Sequence, residues 1–184
     1  PGWHIECSAM GMKYLGESFA IHGGGEDLVF PHHDCEIAQS EACTGKPFVR
    51  YWAHTAMVYC GEHKMSKSLG NMVFVSELIQ KCPSDAIRLH LLSHHYRQAW
   101  NHPKEATLPT LDLSREIAVA LADAGEASQD EIERHGKQFM AAMADDLNTP
   151  QAIRELSALA EGDAPARRAA RTLGRQVLGL TFED

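Results

Sequence analysis

The stretch FAIHGGGEDLVFPHHDCEIAQSEAC, Phe19 to Cys43, decides the reading of the fold. FAIH reads as a short strand that ends in three glycines. Pro31 suits the first turn of a helix, because its φ is already helical and its missing N–H would have no partner there. The small and polar residues from His32 to Cys43 can carry that helix on. A strand passing through a glycine turn into a helix is the repeating unit of an α/β fold. Glycines also let backbone approach a ligand closely, and the carboxylate of Asp27 can accept hydrogen bonds from ribose hydroxyls. Many glycine-rich turns are only turns, and this one is neither a GxGxxG nor a P-loop.

The same alternation continues on both sides. Trp3–Leu15 carries Ile5, Ala9, Met12 and Leu15 at helical spacing. A second strand is expected within Phe48–Val58, a polar loop over 59–71, and short helices over Val75–Lys81 and Asp85–His95. Strand and helix in turn imply a parallel sheet. Pro103 and Pro109 then interrupt regular structure. Beyond them Leu111–Ala124 and Ile132–Met143 have helical spacing, while Thr149 before Pro150 and Asp163 before Pro165 mark helix starts. The division expected is 1–105, α/β, and 106–184, all-helical. APARRAARTLGR reads as a surface helix with a solvated basic face.

The 184 residues are 44% hydrophobic with a net charge of −8, which excludes a wholly basic nucleic-acid surface but not a local patch. Cys7, Cys35, Cys43, Cys60 and Cys82 form no CxxC and are odd in number, which points to a reducing, cytoplasmic setting. No apolar run has the length of a membrane span. The opening PGWHIECSAM lacks an initiator Met and looks like the interior of a longer protein.

Two groups of residues carry chemistry. His32 and Glu36 are four apart, so on a helix both reach one ion. Cys7, in another helical segment, offers a thiolate, and zinc accepts Cys, His and Glu. Ordinary surface helices carry His/Glu pairs and ordinary cores carry cysteines, so spacing leaves the metal open. His33 and Cys35 point elsewhere on the helix and read as neighbours. The second group is HKMSKSLGN, His63–Asn71. Lys64 and Lys67 form a cationic clamp that can neutralise charge on a departing pyrophosphate. The hydroxyls of Ser66 and Ser68 can hold phosphate oxygens.

KMSKS resembles the second signature of class I aminoacyl-tRNA synthetases. Taken in order, GWHIECSAM, HGGGEDLVFPHH, EIAQSEA, HKMSKSLGN and DDLNTP resemble the cysteinyl-tRNA synthetase family over residues 1 to about 150. The resemblance implies the C-terminal half of a Rossmann-like catalytic domain, followed by a helical stem-contact or DALR-like region. It implies cytoplasmic ATP-dependent activation of cysteine, with Mg2+ accompanying ATP, and transfer to tRNA(Cys). It also implies zinc held by Cys7, His32 and Glu36, Trp3 and His22 in the amino-acid pocket, Gly24 and Asp27 on the adenosine, and Lys67 with Lys64 at the phosphates. The zinc would select substrate thiol over hydroxyl. A fourth ligand, a Cys, and a His-Ile-Gly-His signature belong to a preceding segment, so this chain alone is expected to be inactive, with zinc weak or missing. A relative that joins cysteine to an amino-sugar in mycothiol biosynthesis is the alternative, and a non-catalytic zinc- or RNA-binding relic is another. Glu36 in EIAQSEA and the form of SLGN favour the synthetase, and an intact KMSKS disfavours the relic.

Overall fold

An apolar run that ends in three glycines builds the first strand, β1 (Phe19–Gly25), beside the second, β2 (Val49–Thr55). The two run parallel, with Phe19 opposite Val49 and Gly25 opposite Thr55. The computed structural model describes residues 4–103 and 108–182. Helices α1 (Ile5–Leu15) and α2 (Asp34–Thr44) accompany this pair, and α2 closes on Gly45 in the left-handed region. The turn into α2 is wide. Val29–His33 forms a single open turn in which Phe30 is extended, so helical geometry begins at Pro31. Phe48 is fully buried against Phe19 in an edge-to-face pair, with ring centroids 4.9 Å apart. These elements form the first of two compact units, 1–57 with 96–99. Ile21 and Tyr51 remain exposed on the strand pair.

The second unit comprises 58–95 and 100–184. It opens with a small sheet in which β3 (Val58–Cys60) pairs antiparallel with β4 (His63–Lys64) and parallel with β5 (Trp100–Asn101). The loop expected over 59–71 therefore contains a hairpin, because Gly61 at φ 67° lets two residues turn the chain. After it come α3 (Val75–Leu78), α4 (Ser84–Leu92), α5 (Leu111–Leu121), α6 (Gln129–His135), α7 (Lys137–Ala144), α8 (Thr149–Ala160) and α9 (Ala164–Gln176). The fold is thus α/β followed by helices.

Local rules account for the starts of α6, α8 and α9. Asn148 and Asp163 cap α8 and α9 through Gln151 and Ala166 N–H groups, each with a proline in the first turn. Ser128 and Glu131 form a reciprocal cap on α6. The single helix expected over Ile132–Met143 is broken at Gly136. A side chain there would meet Leu173 Cδ1 at 2.8 Å and the Ile132 carbonyl at 2.7 Å, so α9 demands a glycine.

The basic face expected for α9 covers only one side of the helix: Arg167 is exposed and Arg175 half-exposed, while the opposite side is buried. Ala166, Ala169, Ala170 and Leu173 are buried, and α9 sits in the core with Leu121, Phe139 and Leu156. Its arginines lie along the flanks. Arg168 pairs with Glu131, Arg175 with Glu126 at 2.9 Å, and Arg171 donates to the Leu121 carbonyl at 2.8 Å. Small alanines let the neighbouring helices approach, and the long arginine stems reach across to their acids and carbonyls.

Candidate functional site

In the first unit α2 carries Glu36 into the interior, where it is wholly buried. Neither carboxylate oxygen has a hydrogen-bond partner. His22 Nε2 on β1 lies 3.2 Å from one oxygen and His32 Nε2 lies 3.5 Å from the other, but neither contact has hydrogen-bond geometry. A buried carboxylate that accepts no hydrogen bond is costly to bury. Ligand atoms of Cys7, His32 and Glu36 lie within 4.8 Å of one another. Sulfur, imidazole and carboxylate are the donors that zinc takes. Burial pushes the Cys7 thiol up, and the carboxylates of Glu36 and Glu6 push it further. A divalent cation would reverse this balance by favouring the thiolate and satisfying the carboxylate. The donor set fits a metal on these grounds.

His32 is oriented from behind. Its Nδ1 lies 2.5 Å from Nδ1 of His4, which leaves Nε2 to face Glu36. His33 is more than a neighbour. With His22 and Glu36 it forms a second group whose ligand atoms also lie within 4.8 Å, because residues three apart share a helix face as well. It is buried, and its Nδ1 lies 2.7 Å from Nε2 of His54. Burial, followed by the rings of His22, His54 and His32, lowers its pKa to about 4. Sequence spacing missed His4 and His54 because their partners lie on other elements.

Gly24 packs against this group; a Cβ there would stand 2.8 Å from His33 Cε1 and 3.0 Å from Leu28 Cδ1. Asp27 follows it and, with His4, Leu28, Pro31 and His32, lines an open pocket of about 490 Å3. Asp27 and the metal-capable His32 therefore share one hollow. Trp3 lies outside the described residues. A larger hollow of about 650 Å3 in the second unit is lined by Glu126, Thr172 and Arg175. Those groups already bond to one another, Thr172 and Arg175 both donating to Glu126.

The lysine loop belongs to the second unit. Ser66 is extended, Lys67–Leu69 makes one tight turn, and Gly70 at φ 64° brings its N–H to the Lys67 carbonyl. Lys67 and Ser68 are exposed. Ser66 Oγ lies 3.3 Å from Ser68 Oγ. Asn71 ties the loop: its Oδ1 accepts from the Ser66 N–H at 2.8 Å, and its Nδ2 donates to the Lys64 carbonyl at 3.0 Å.

A family model described as "tRNA synthetases class I (C) catalytic domain" matches residues 1–110. The chain belongs to this class I synthetase family. A second model, "DALR domain", matches residues 138–183 of the synthetase chain. A protein named cysteine--tRNA ligase from Alkalilimnicola ehrlichii is 46% identical over 198 residues, covering 100% of the chain and 43% of the relative. Another of that name, from Thermococcus onnurineus, is 48% identical over 170 residues, covering 84% and 36%. The chain thus spans less than half the length of these synthetases. Among solved structures, the LeuRS of Agrobacterium radiobacter, in a ternary complex with tRNA and LeuAMS, superimposes with a TM-score of 0.61. It is 17% identical over 85% of this chain and 25% of that one, a likeness of fold. Among the described residues no helix is long and apolar enough to cross a membrane.

Proposed function

We propose that this chain is part of an enzyme that activates cysteine with ATP and transfers it to tRNA(Cys). The observation that carries the reading is Glu36, a buried carboxylate without a hydrogen-bond partner, grouped with Cys7 and His32. An amino-acid pocket that must tell a thiol from a hydroxyl needs a soft acceptor, and this donor set suits one. Cys7, His32 and Glu36 would hold zinc, which when bound supplies a Lewis acid preferring substrate sulfur over oxygen.

The chain's own residues do the rest. Gly24 and Asp27 bind the adenosine and its ribose, and His22 lines the cysteine pocket, to which the family resemblance also assigns Trp3. In activation a substrate carboxylate oxygen bonds to the α-phosphorus of Mg2+-ATP, and the bond to pyrophosphate breaks. Lys67, supported by Lys64, neutralises the negative charge that gathers on the leaving group. Ser66 and Ser68 hold the phosphate oxygens. A terminal tRNA hydroxyl then attacks the adenylate carbonyl and AMP leaves. We assign this chemistry to 1–105, and tRNA contact to 106–184, where DDLNTP joins α7 to α8. The names of the relatives, the matched family and the unbroken KMSKS support the reading.

The test uses the full-length protein. Replacing Cys7→Ser is expected to weaken zinc retention and to reduce the preference for cysteine over serine in amino-acid-dependent ATP–pyrophosphate exchange by at least about tenfold, the scale of losing one ligand's contribution. Unchanged metal content together with unchanged selectivity would remove Cys7 from the site. Exchange that survives complete chelation at full selectivity would remove the metal from the mechanism.

A further inference from the structure

We propose that Asn71 is a positioning residue for the lysine loop, holding Lys67 at the phosphates by acting as a substitute strand. This rests on the functional reading above.

In an extended segment, the carbonyl of one residue and the N–H two residues later face the same side, while the groups of the residue between face the other. Residues 64–66 follow that rule. The Met65 N–H points to β3 and donates to the Val58 carbonyl at 2.8 Å. The Lys64 carbonyl and the Ser66 N–H point away from β3. There the side-chain amide of Asn71 meets them, at 3.0 and 2.8 Å. A carboxamide is one acceptor and one donor in a plane, the same pair a neighbouring strand's peptide presents.

The consequence is a closed ring. Residues 66 to 70 are sealed at the base by Asn71, with the tight turn at Lys67–Leu69 and left-handed Gly70 inside it. Lys67 projects from this ring, and no described residue forms an ion pair with it. No ion pair draws its side chain elsewhere, and the turn that carries its Cα is closed by Asn71. The ring makes specific demands at position 71. Alanine removes both bonds. Aspartate keeps the acceptor for Ser66 but turns an oxygen toward the Lys64 carbonyl, where two acceptors repel. Glutamine adds a methylene and overshoots.

The experiment is cysteine-dependent ATP–pyrophosphate exchange in the full-length enzyme, with Asn71→Ala, Asn71→Asp, Lys67→Ala and the double variant Lys67→Ala/Asn71→Ala. Asn71→Ala is expected to lower kcat by about ten- to a hundredfold, the cost of misplacing a catalytic group by about an ångström, with KM for cysteine unchanged. Asn71→Asp is expected to fall between wild type and alanine. Because Asn71 acts through Lys67, the double variant is expected to be no slower than Lys67→Ala alone. A residue that merely stabilises the unit would give losses that multiply, and that outcome overturns the proposal. So does wild-type kcat in either Asn71 variant. If Lys67→Ala alone leaves exchange at the wild-type rate, the phosphate role of the loop falls, and the positioning role with it.

Discussion

At the scale of single residues, the glycines of β1 are not equivalent. Gly23 has open surroundings, the nearest atom to an added Cβ being the Ala53 carbonyl at 3.6 Å, whereas at Gly24 that atom would strike His33 at 2.8 Å. His33 is buried and held by His54, so it cannot step aside. Gly24→Ala is expected to destabilise the protein by about 1–3 kcal/mol, the usual cost of overpacking, and Gly23→Ala by less than about 1 kcal/mol. Urea unfolding of the two variants measures the difference; equal losses would show that His33 has room. The paired glycines could be read in the sequence as a close backbone approach. That the approaching group is an imidazole could not, because His33 reaches Gly24 through the wide turn at Val29–His33. Likewise, the four-residue spacing placed His32 beside Glu36, but nothing in it revealed His22, which comes from the strand.

At the scale of elements, α4 is held by one carboxylate. Asp85, in its first turn, is buried and accepts from the Thr181 N–H at 2.9 and 3.0 Å, the Thr181 hydroxyl at 3.1 Å and the Phe182 N–H at 2.7 Å. Arg88, one turn on, donates to the Leu178 carbonyl. Hydrogen bonds to a charged group are the stronger kind, and removing the carboxylate deletes those from three donors at once. Asp85→Ala is expected to cost about 2–4 kcal/mol and to release residues 178–182, seen as faster amide exchange at Thr181 and Phe182. Loss of stability without faster exchange there would place the effect elsewhere. The helices themselves were largely legible from periodicity, and the cap at Asp163 from a single residue ahead of a proline, while that of α8 falls on Asn148, one residue before the expected Thr149. What stayed hidden were features that depend on partners far along the chain. Gly136 breaks a helix for Leu173, Asp85 waits for Thr181, and Arg168 and Arg175 of α9 pair with Glu131 and Glu126 from earlier in the chain.

At the scale of the whole molecule, buried histidines in both units set the response to acid. In the second unit, burial followed by the neighbouring His102 and His94 rings lowers the pKa of His90 from 6.5 to about 4. Trp100 packs edge-on against His90, with ring centroids 5.1 Å apart. The folded state therefore refuses a proton that the unfolded chain accepts. Stability from this group is complete above pH 6.5, declines as pH falls below it, and is gone below about pH 4. His33 has the same sign in the first unit. Glu131, held at about 2 chiefly by Arg168, withdraws its contribution only in stronger acid. His90→Phe is expected to retain about 2 kcal/mol that wild type loses between pH 7 and pH 5, since each unit of displacement is worth about 1.4 kcal/mol. Thermal midpoints of the two proteins across that range test it; parallel curves would show that His90 does not govern the loss.

The tether between Asp85 and Phe182 spans 97 residues of sequence. During synthesis at about 5–20 residues per second, α4 leaves the ribosome several seconds before the segment that covers it. Throughout that interval Leu89, which the finished protein buries in a core that includes Leu178 and Leu180, lacks that part of its cover. A nascent chain stalled between the two ends leaves Asp85 without its native donors and this part of the helix open to chaperones until residues 178–182 follow.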